Sequence, residues 1–514
     1  MKSHNKENKN FVIPKEVSAV LRTLQENDFE AYIVGGSVRD LLIGKTPGDW
    51  DVTTNASPEE IVKLFPDSFY ANKFFTVTVK TKSDDPRLAE IEVTTYRSEA
   101  GYTDQRHPDA VRPAKSLEED LSRRDFTINA IALEVRSEKL EVGSKSNLKP
   151  PTPNLYHVID PFGGMNDLEA KIVRTVGDAK ERFSEDALRM LRAVRIATEL
   201  DFTIEEKTSS AIKEHAGWLR AIAKERIRDE LLKMFASPNS AQGIQALHDL
   251  GLLSTIMPEL EEGLGVGQNK HHVYTVWEHN VFALQWADKE KYSVPVKISA
   301  LLHDVAKPRC KRGEGPDSTF YQHDVVGAKM ATNMLETLHF PREEIITIAK
   351  LIRWHLFKYD PDEGITDSAI RRLIRNVGAE NIADLVLLRI CDRMGSGVPK
   401  AVPYRLRHFK FRVEKILREE EAPSPKMLKV NGEDVMEILG IEPGPQVGFM
   451  LAALLEEVID DPTKNSKDIL VSRVRELGQF SIDELKKLAE SAESKVELIE
   501  DEREQEIKNK YYVQ

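Results

Sequence analysis

Cysteine is nearly absent from this chain. There are two in 514 residues, Cys310 and Cys391. Two cysteines cannot build a disulfide framework, and a reducing cytoplasm is the expected compartment. Long apolar runs are also missing. None approaches the roughly 20 residues that span a bilayer, so no membrane association is expected. The opening run MKSHNKENKN is polar and lacks the apolar centre of a signal peptide. Positive charge is in deficit as well: 73 basic against 85 acidic residues, a net charge of −12. Read globally, that balance argues against a protein that coats nucleic acid. What is present is a 40% hydrophobic and 31% charged mixture, enough to bury cores in about three domains.

Periodicity predicts a helix over 12–27, with Val17, Val20, Leu21 and Leu24 on one face. A short apolar strand, Ala31–Val34, runs into Gly35-Gly36, and Ser37–Ile43 reads as a helix opening. Further strands are expected at Asp49–Thr54, Phe75–Lys80 and Ala89–Thr95. The Pro-rich run 141–157 reads as a loop. Beyond about 166 the pattern becomes helical, with Ser184–Leu200 and Ile222–Phe235 the clearest segments. The expected fold class is therefore α+β, a small mixed-sheet head followed by helices.

Gly35-Gly36-Ser37 fits a turn whose backbone N–H groups approach a phosphate. Asp49 and Asp51 stand two apart on an expected strand, so their carboxylates share a face. Oxygen ligands of that kind suit Mg²⁺ held between protein and substrate phosphates.

The run YIVGGSVRDLLIGKTPGDWDVTT (32–54) closely resembles the head signature of the tRNA nucleotidyltransferase and bacterial poly(A) polymerase family, within the polymerase β-like superfamily. EEDLSRRDFTINAIAL (118–133) and DPFGGMNDLEAKIVRTVGDAKERFSEDALRMLRAVRIA (160–197) resemble its second and third signatures. The resemblance implies that Gly35, Gly36, Ser37 and Arg39 hold a triphosphate. It implies that Asp49 and Asp51 bind catalytic Mg²⁺, and that Arg124 and Asp125 contact the nucleotide. Glu92 lies where the superfamily often keeps a third carboxylate.

Glu185-Asp186-Ala187-Leu188-Arg189 matches the amino-acid template of CCA-adding enzymes. Cytosine and adenine each pair an amino donor with a ring-nitrogen acceptor, which suits an Asp acceptor beside an Arg donor. Guanine and uracil would leave those groups mispaired. Arg192 and Arg195 continue the three-residue spacing. On one ideal helix Arg195 would lie opposite Asp186, so the later arginines are expected to reach the triphosphate or shape the pocket. Arg97–Arg112 resembles the head loop of enzymes that add the terminal A.

Histidines concentrate within 279–392. His279, His303-Asp304, His323, His355 and Asp392 follow the order of HD-domain phosphohydrolases, whose resemblance implies a second divalent metal. Hydrolysis and a purely structural metal both remain open.

Residues 400–418 carry seven basic residues against one acidic, with Tyr404, Phe409 and Phe411 interleaved. They read either as an RNA-facing track or as an amphipathic helix with a solvated basic face. Residues 483–510 hold ten acidic and six basic residues and read as a solvated helix or frayed tail. The run 430–458 resembles the C-terminal region of bacterial CCA-adding enzymes.

The expected organisation is a disordered tail (1–11), a nucleotidyltransferase head (12–165), a helical neck and body (166–270), an HD domain (271–400) and a C-terminal tRNA-binding region (401–514). The family resemblance implies tRNA as partner, CTP and ATP as substrates, and no obligatory protein partner. Addition of A alone, or poly(A) synthesis, stays open beside CCA addition. So does an HD phosphohydrolase carrying an RNA-binding head.

Overall fold

Residues 11–71, 75–100, 110–136, 155–269, 273–397, 402–420 and 425–513 are described in a computed structural model. The chain divides into two units, 1–353 with 394–397, and 354–393 with 398–514.

The first unit opens on the helix Lys15–Glu26, which buries Val17, Val20, Leu21 and Leu24 as its periodicity requires. The head strands are β1 (Ala31–Val34), β2 (Asp51–Thr54), β3 (Ser68–Ala71), β4 (Thr76–Lys80), β5 (Glu90–Thr95), β6 (Arg97–Ala100), β7 (Ala110–Pro113), β8 (Ala132–Arg136) and β9 (Leu155–Ile159). Seven of them form one sheet in the order β3-β4-β5-β2-β1-β8-β9. Its β2–β5 pairing is parallel. The pairings β1–β2, β1–β8, β3–β4, β4–β5 and β8–β9 are antiparallel. Strands β6 and β7 pair as a separate hairpin stem. The expected A-adding loop sits on that stem, and its residues 101–109 lie outside the described residues.

Alternation along β1, β2, β4 and β5 sends Ile33, Val52, Val77, Ile91 and Val93 into the core. That core continues through Leu191 and Val194 of the neck to Ile348 and Ile352. Head, neck and the first histidine-bearing helices therefore share one apolar interior. The other sheet face is covered by a smaller cluster built on Tyr96, Leu117 and Leu121.

The structure corrects two expectations here. Asp49 lies in a bend, and the strand begins only at Asp51. The expected helix over Ser184–Leu200 is two helices, Ala179–Glu185 and Leu188–Leu200. Asp186 adopts an extended φ of −147° between them. Its Oδ1 accepts from Leu188 N at 3.0 Å, so the side chain competes with the backbone ladder and opens the break. Apolar periodicity runs through such a break without recording it.

The second unit is helical. Leu454, Val474 and Leu485 centre its main core. The 30-residue helix Ile482–Tyr511 packs against the helices Pro445–Asp460 and Tyr404–Glu420. A smaller cluster joins Phe411 to Ile507 and Val513. The acidic C-terminal stretch is thus an anchored helix.

Candidate nucleotidyl-transfer site

Gly35 has φ +78°, a conformation that favours glycine. A Cβ built on it would stand 2.9 Å from both Arg124 Nη1 and Asp51 Oδ2. Backbone, carboxylate and guanidinium therefore converge at this turn. Ser37 is buried, and its hydroxyl donates to the Val34 carbonyl at 2.8 Å, fixing the turn from within. Gly36 opens the helix Gly36–Leu42. Arg39 donates from Nη1 to Asn129 Oδ1 and from Nε to Asp40, both at 2.9 Å.

Asp51 pairs in register with Val34 on one side and Glu92 on the other. Burial pushes its carboxyl up to about 6, and the charges of Asp49 and Glu92 add to the rise while Arg124 opposes it. A carboxylate crowded by two others in a half-buried cleft is an oxygen donor set that suits a hard divalent cation.

Asp120 is fully buried and was not singled out from the sequence. Its carboxylate accepts from Arg123 Nε at 3.1 Å and Thr53 Oγ1 at 3.3 Å, and lies 3.7 Å from Arg124. It sets the direction of both arginines of the RRD run. Asp125 Oδ1 accepts from Asn129 Nδ2 at 3.1 Å, and Oδ2 from Arg192 Nε at 2.9 Å. Burial would raise the Asp125 carboxyl. Arg192, the Asn129 amide and Arg189 outweigh it and hold the group well below the usual carboxylate range.

Asp186 and Arg189 do not pair with each other. Asp186 Oδ2 meets Arg226 Nη2 at 2.7 Å, and Arg189 Nη1 meets Glu185 Oε2 at 2.5 Å. Arg192 lies 3.5 Å from Glu230, and Arg195 lies 2.5 Å from Glu230 and 2.7 Å from Glu199. Arg226 and Glu230 stand one helical turn apart on Lys224–Ala236. The sequence reading missed both; their spacing on an apolar-faced helix was the available signal.

A second cluster lies in the first unit. His279, His303 and Asp304 are fully buried, and His323 nearly so. His303 Nδ1 meets the Ala300 carbonyl at 2.8 Å, and His323 Nδ1 meets the Phe320 carbonyl at 2.6 Å. A carbonyl can only accept, so each of these Nδ1 atoms carries a proton and Nε2 is the ring nitrogen turned toward Asp304. The Nε2 atoms of His279, His303 and His323 lie 3.2, 3.3 and 3.2 Å from Asp304. Lys307, also missed from sequence, bridges Asp304 at 2.5 Å and Gln268 at 2.6 Å. Burial opposes ionisation of Asp304, yet His303, Lys307 and His279 hold its carboxyl far below the usual range. The other two expected ligands belong to the second unit. There His355 is buried, and Asp392 pairs with Arg389 at 2.8 Å. Cys391 is buried and Cys310 half-buried, and the two form no disulfide.

In the helix Tyr404–Glu420, Phe409 and Phe411 are buried, so of the two readings left open these rings pack beneath the basic face. Their apolar surface holds the second unit together. Arg405 pairs with Asp360 at 2.7 Å and Arg418 with Glu506 at 3.2 Å, and Lys415 pairs with Glu504. The basic face is largely matched by the chain's own acids.

Against known families, residues 31–174 match the poly(A) polymerase head domain and 324–474 match the tRNA nucleotidyltransferase domain 2. The CCA-adding enzyme of Geobacillus kaustophilus is 31% identical over 88% of this chain and 95% of its own length. The A-adding tRNA nucleotidyltransferase of Deinococcus radiodurans is 33% identical over 83% and 91%. Higher local identity, 44%, is reached with a CCA-adding enzyme of which the chain spans 53%. The crystal structure of the Bacillus stearothermophilus CCA-adding enzyme with CTP superposes with a TM-score of 0.53 at 27% identity, covering 91% of this chain and 98% of that one.

A mixed-sheet head of this kind, joined to a helical body, defines a nucleotidyltransferase. Such an enzyme uses divalent metal, and the carboxylate set around Asp51 fits one. The chain belongs to the tRNA nucleotidyltransferase family that contains the CCA-adding enzymes. Among its described residues no helix is long and apolar enough to cross a membrane.

Proposed function

We propose that this chain adds C, C and A to the 3′ end of tRNA from CTP and ATP, without a nucleic-acid template and with release of pyrophosphate. The observation that carries the reading is the convergence of Gly35, Asp51 and Arg124, with Asp49 and Glu92 acting on Asp51. Asp49 and Asp51 are the ligands for Mg²⁺, and Glu92 is a third candidate. Two such cations held there would stabilise the attacking and leaving oxygens of an in-line displacement. The Gly35-Gly36 backbone, Arg39 and Arg124 receive the triphosphate. Asp125 keeps Arg192 aimed along the nucleotide. Asp186 accepts from the amino group of C or A, and Arg189 donates to the adjacent ring nitrogen. To do so Arg189 exchanges Glu185 for the base, while Arg226 stays on Asp186 and orients its carboxylate. A G or U would leave these groups unsatisfied, at about 1–3 kcal/mol each. Cysteines that form no disulfide and a tRNA substrate fit a cytoplasmic enzyme.

The test offers a tRNA ending at its discriminator base with each nucleotide separately and together. CTP alone should add two residues, and CTP with ATP should complete CCA. Extension by ATP alone with CTP ignored would establish A addition instead.

A second reading concerns the buried imidazoles. His279, His303 and His323 present Nε2 atoms to an ionised Asp304. This mixed donor set suits a divalent metal able to support phosphoester hydrolysis. Release of phosphate from a 3′-phosphorylated RNA end, or opening of a 2′,3′-cyclic end to a phosphomonoester, lost in Asp304→Asn, tests it.

A further inference from the structure

The helices Ser240–Asp249 and Val276–Lys289 pack together and border a cavity of about 570 Å³ within the first unit. None of the carboxylates, arginines or imidazoles assigned above lines it. The volume lies in the range of small-molecule sites. Three rings contribute to the wall, Tyr274, Phe282 and Trp286. Tyr274 and Phe282 meet edge to face at 4.6 Å between centroids.

Three features restrict the occupant. The indole N–H of Trp286 is buried and finds no acceptor among the described residues. A buried donor left in that state is costly, and a ligand acceptor would satisfy it. Asp288 also lines the cavity, but its carboxylate is spent on Ser240 Oγ at 2.7 Å, Ala241 N at 2.8 Å and Lys297 at 2.7 Å. The site therefore offers no spare anion for a cationic ligand. Among the described residues the one cation on the wall is Lys289, exposed at the rim with its Nζ 4.8 Å over the Trp286 ring. Gln242 and Gln285, also exposed on the wall, bring amides that both donate and accept.

A flat, acceptor-bearing ring with an anion beside it meets all of these demands. We infer that this cavity binds a nucleobase, with Lys289 beside its phosphate. The base belongs either to a free nucleotide or to an unpaired position of an RNA. Stacking on aromatic faces is the usual way such bases are held.

The test uses the full-length chain and two probes that lose fluorescence on stacking. One is 2-aminopurine riboside 5′-monophosphate, the other an unstructured hexaribonucleotide carrying one 2-aminopurine. Saturable quenching is expected with the wild-type chain and equally with the double variant Asp186→Ala/Arg189→Ala, which removes the base-reading groups proposed above and so separates the cavity from that site. Trp286→Phe keeps a ring and loses the N–H, and it should weaken binding about tenfold. Trp286→Ala should abolish it. An unchanged melting temperature of Trp286→Phe shows that the fold is retained. Quenching by the monophosphate identifies a free nucleotide as ligand, and quenching by the hexamer alone identifies an unpaired RNA base. Absence of quenching with both probes overturns the inference. So does quenching that Trp286→Phe and Trp286→Ala leave unaltered.

Discussion

Arg192 donates from Nε to Asp125 Oδ2 at 2.9 Å, tying the neck helix Leu188–Leu200 to the catalytic head. The carboxyl of Asp125 is held well below its ordinary range despite burial, chiefly by Arg192. A lowered folded value means the ion pair stabilises the protein fully above the unfolded carboxyl pKa. The stabilisation is lost as pH falls below about 4 toward the folded value. Asp125→Asn should cost about 3 kcal/mol near neutral pH and flatten the acid limb of stability. Thermal unfolding between pH 7 and pH 2.5 checks both.

Asp51 behaves in the opposite sense. Its folded pKa of about 6 is raised, mainly by burial. Ionising it destabilises the metal-free fold, a cost absent below about pH 4 and complete above about pH 6. In metal-free buffer at pH 7.5, Asp51→Asn should therefore be more stable than wild type by about 1 kcal/mol, while binding Mg²⁺ more weakly. Chemical denaturation with and without Mg²⁺ measures this. A destabilised variant without metal would contradict the strain assigned to this carboxylate.

Arg226 holds Asp186 at 2.7 Å. Arg226→Ala removes the group that orients the base-reading carboxylate. The expected loss in kcat/KM for CTP and ATP is about tenfold, equivalent to about 1.4 kcal/mol. Misincorporation of U and G should rise, because Asp186 is no longer fixed. Single-nucleotide extension kinetics with all four triphosphates would separate this from a general loss of fold, which lowers all four alike.

For the buried histidine cluster, Asp304→Asn removes the carboxylate at which three Nε2 atoms converge. Divalent metal retained through gel filtration should fall to background by elemental analysis, with CCA addition as the folding control. Full metal retention would rule out Asp304 as a ligand.

The sequence disclosed the head in detail because its determinants are local. β1 occupies Ala31–Val34 as expected from its apolar run, and Gly35 takes the positive φ that its turn needs. Asp49 and Asp51 were legible as a pair, although the strand starts at Asp51 alone. Partners were less legible. Asp186 pairs with Arg226, forty positions away, and Arg192 with Asp125, sixty-seven away. No periodicity encodes such contacts. The break at Asp186 escaped for a related reason, since apolar spacing continues across it while a side-chain oxygen caps the next helix. The basic run near 410 left two readings open because charge composition carries no burial. Two of its aromatics are core residues, and its cations meet the acidic C-terminal helix. The net charge of −12 is thus partly spent inside the molecule.

The central claim is that Asp49 and Asp51 carry template-independent addition of CCA. The most direct measurement sequences the 3′ ends of a tRNA lacking CCA after incubation with the purified chain, Mg²⁺, CTP and ATP. The account predicts ends completed to CCA by the wild-type chain and unextended ends with Asp49→Asn or Asp51→Asn. Completion of CCA by either variant, or wild-type ends carrying any other sequence, would contradict it.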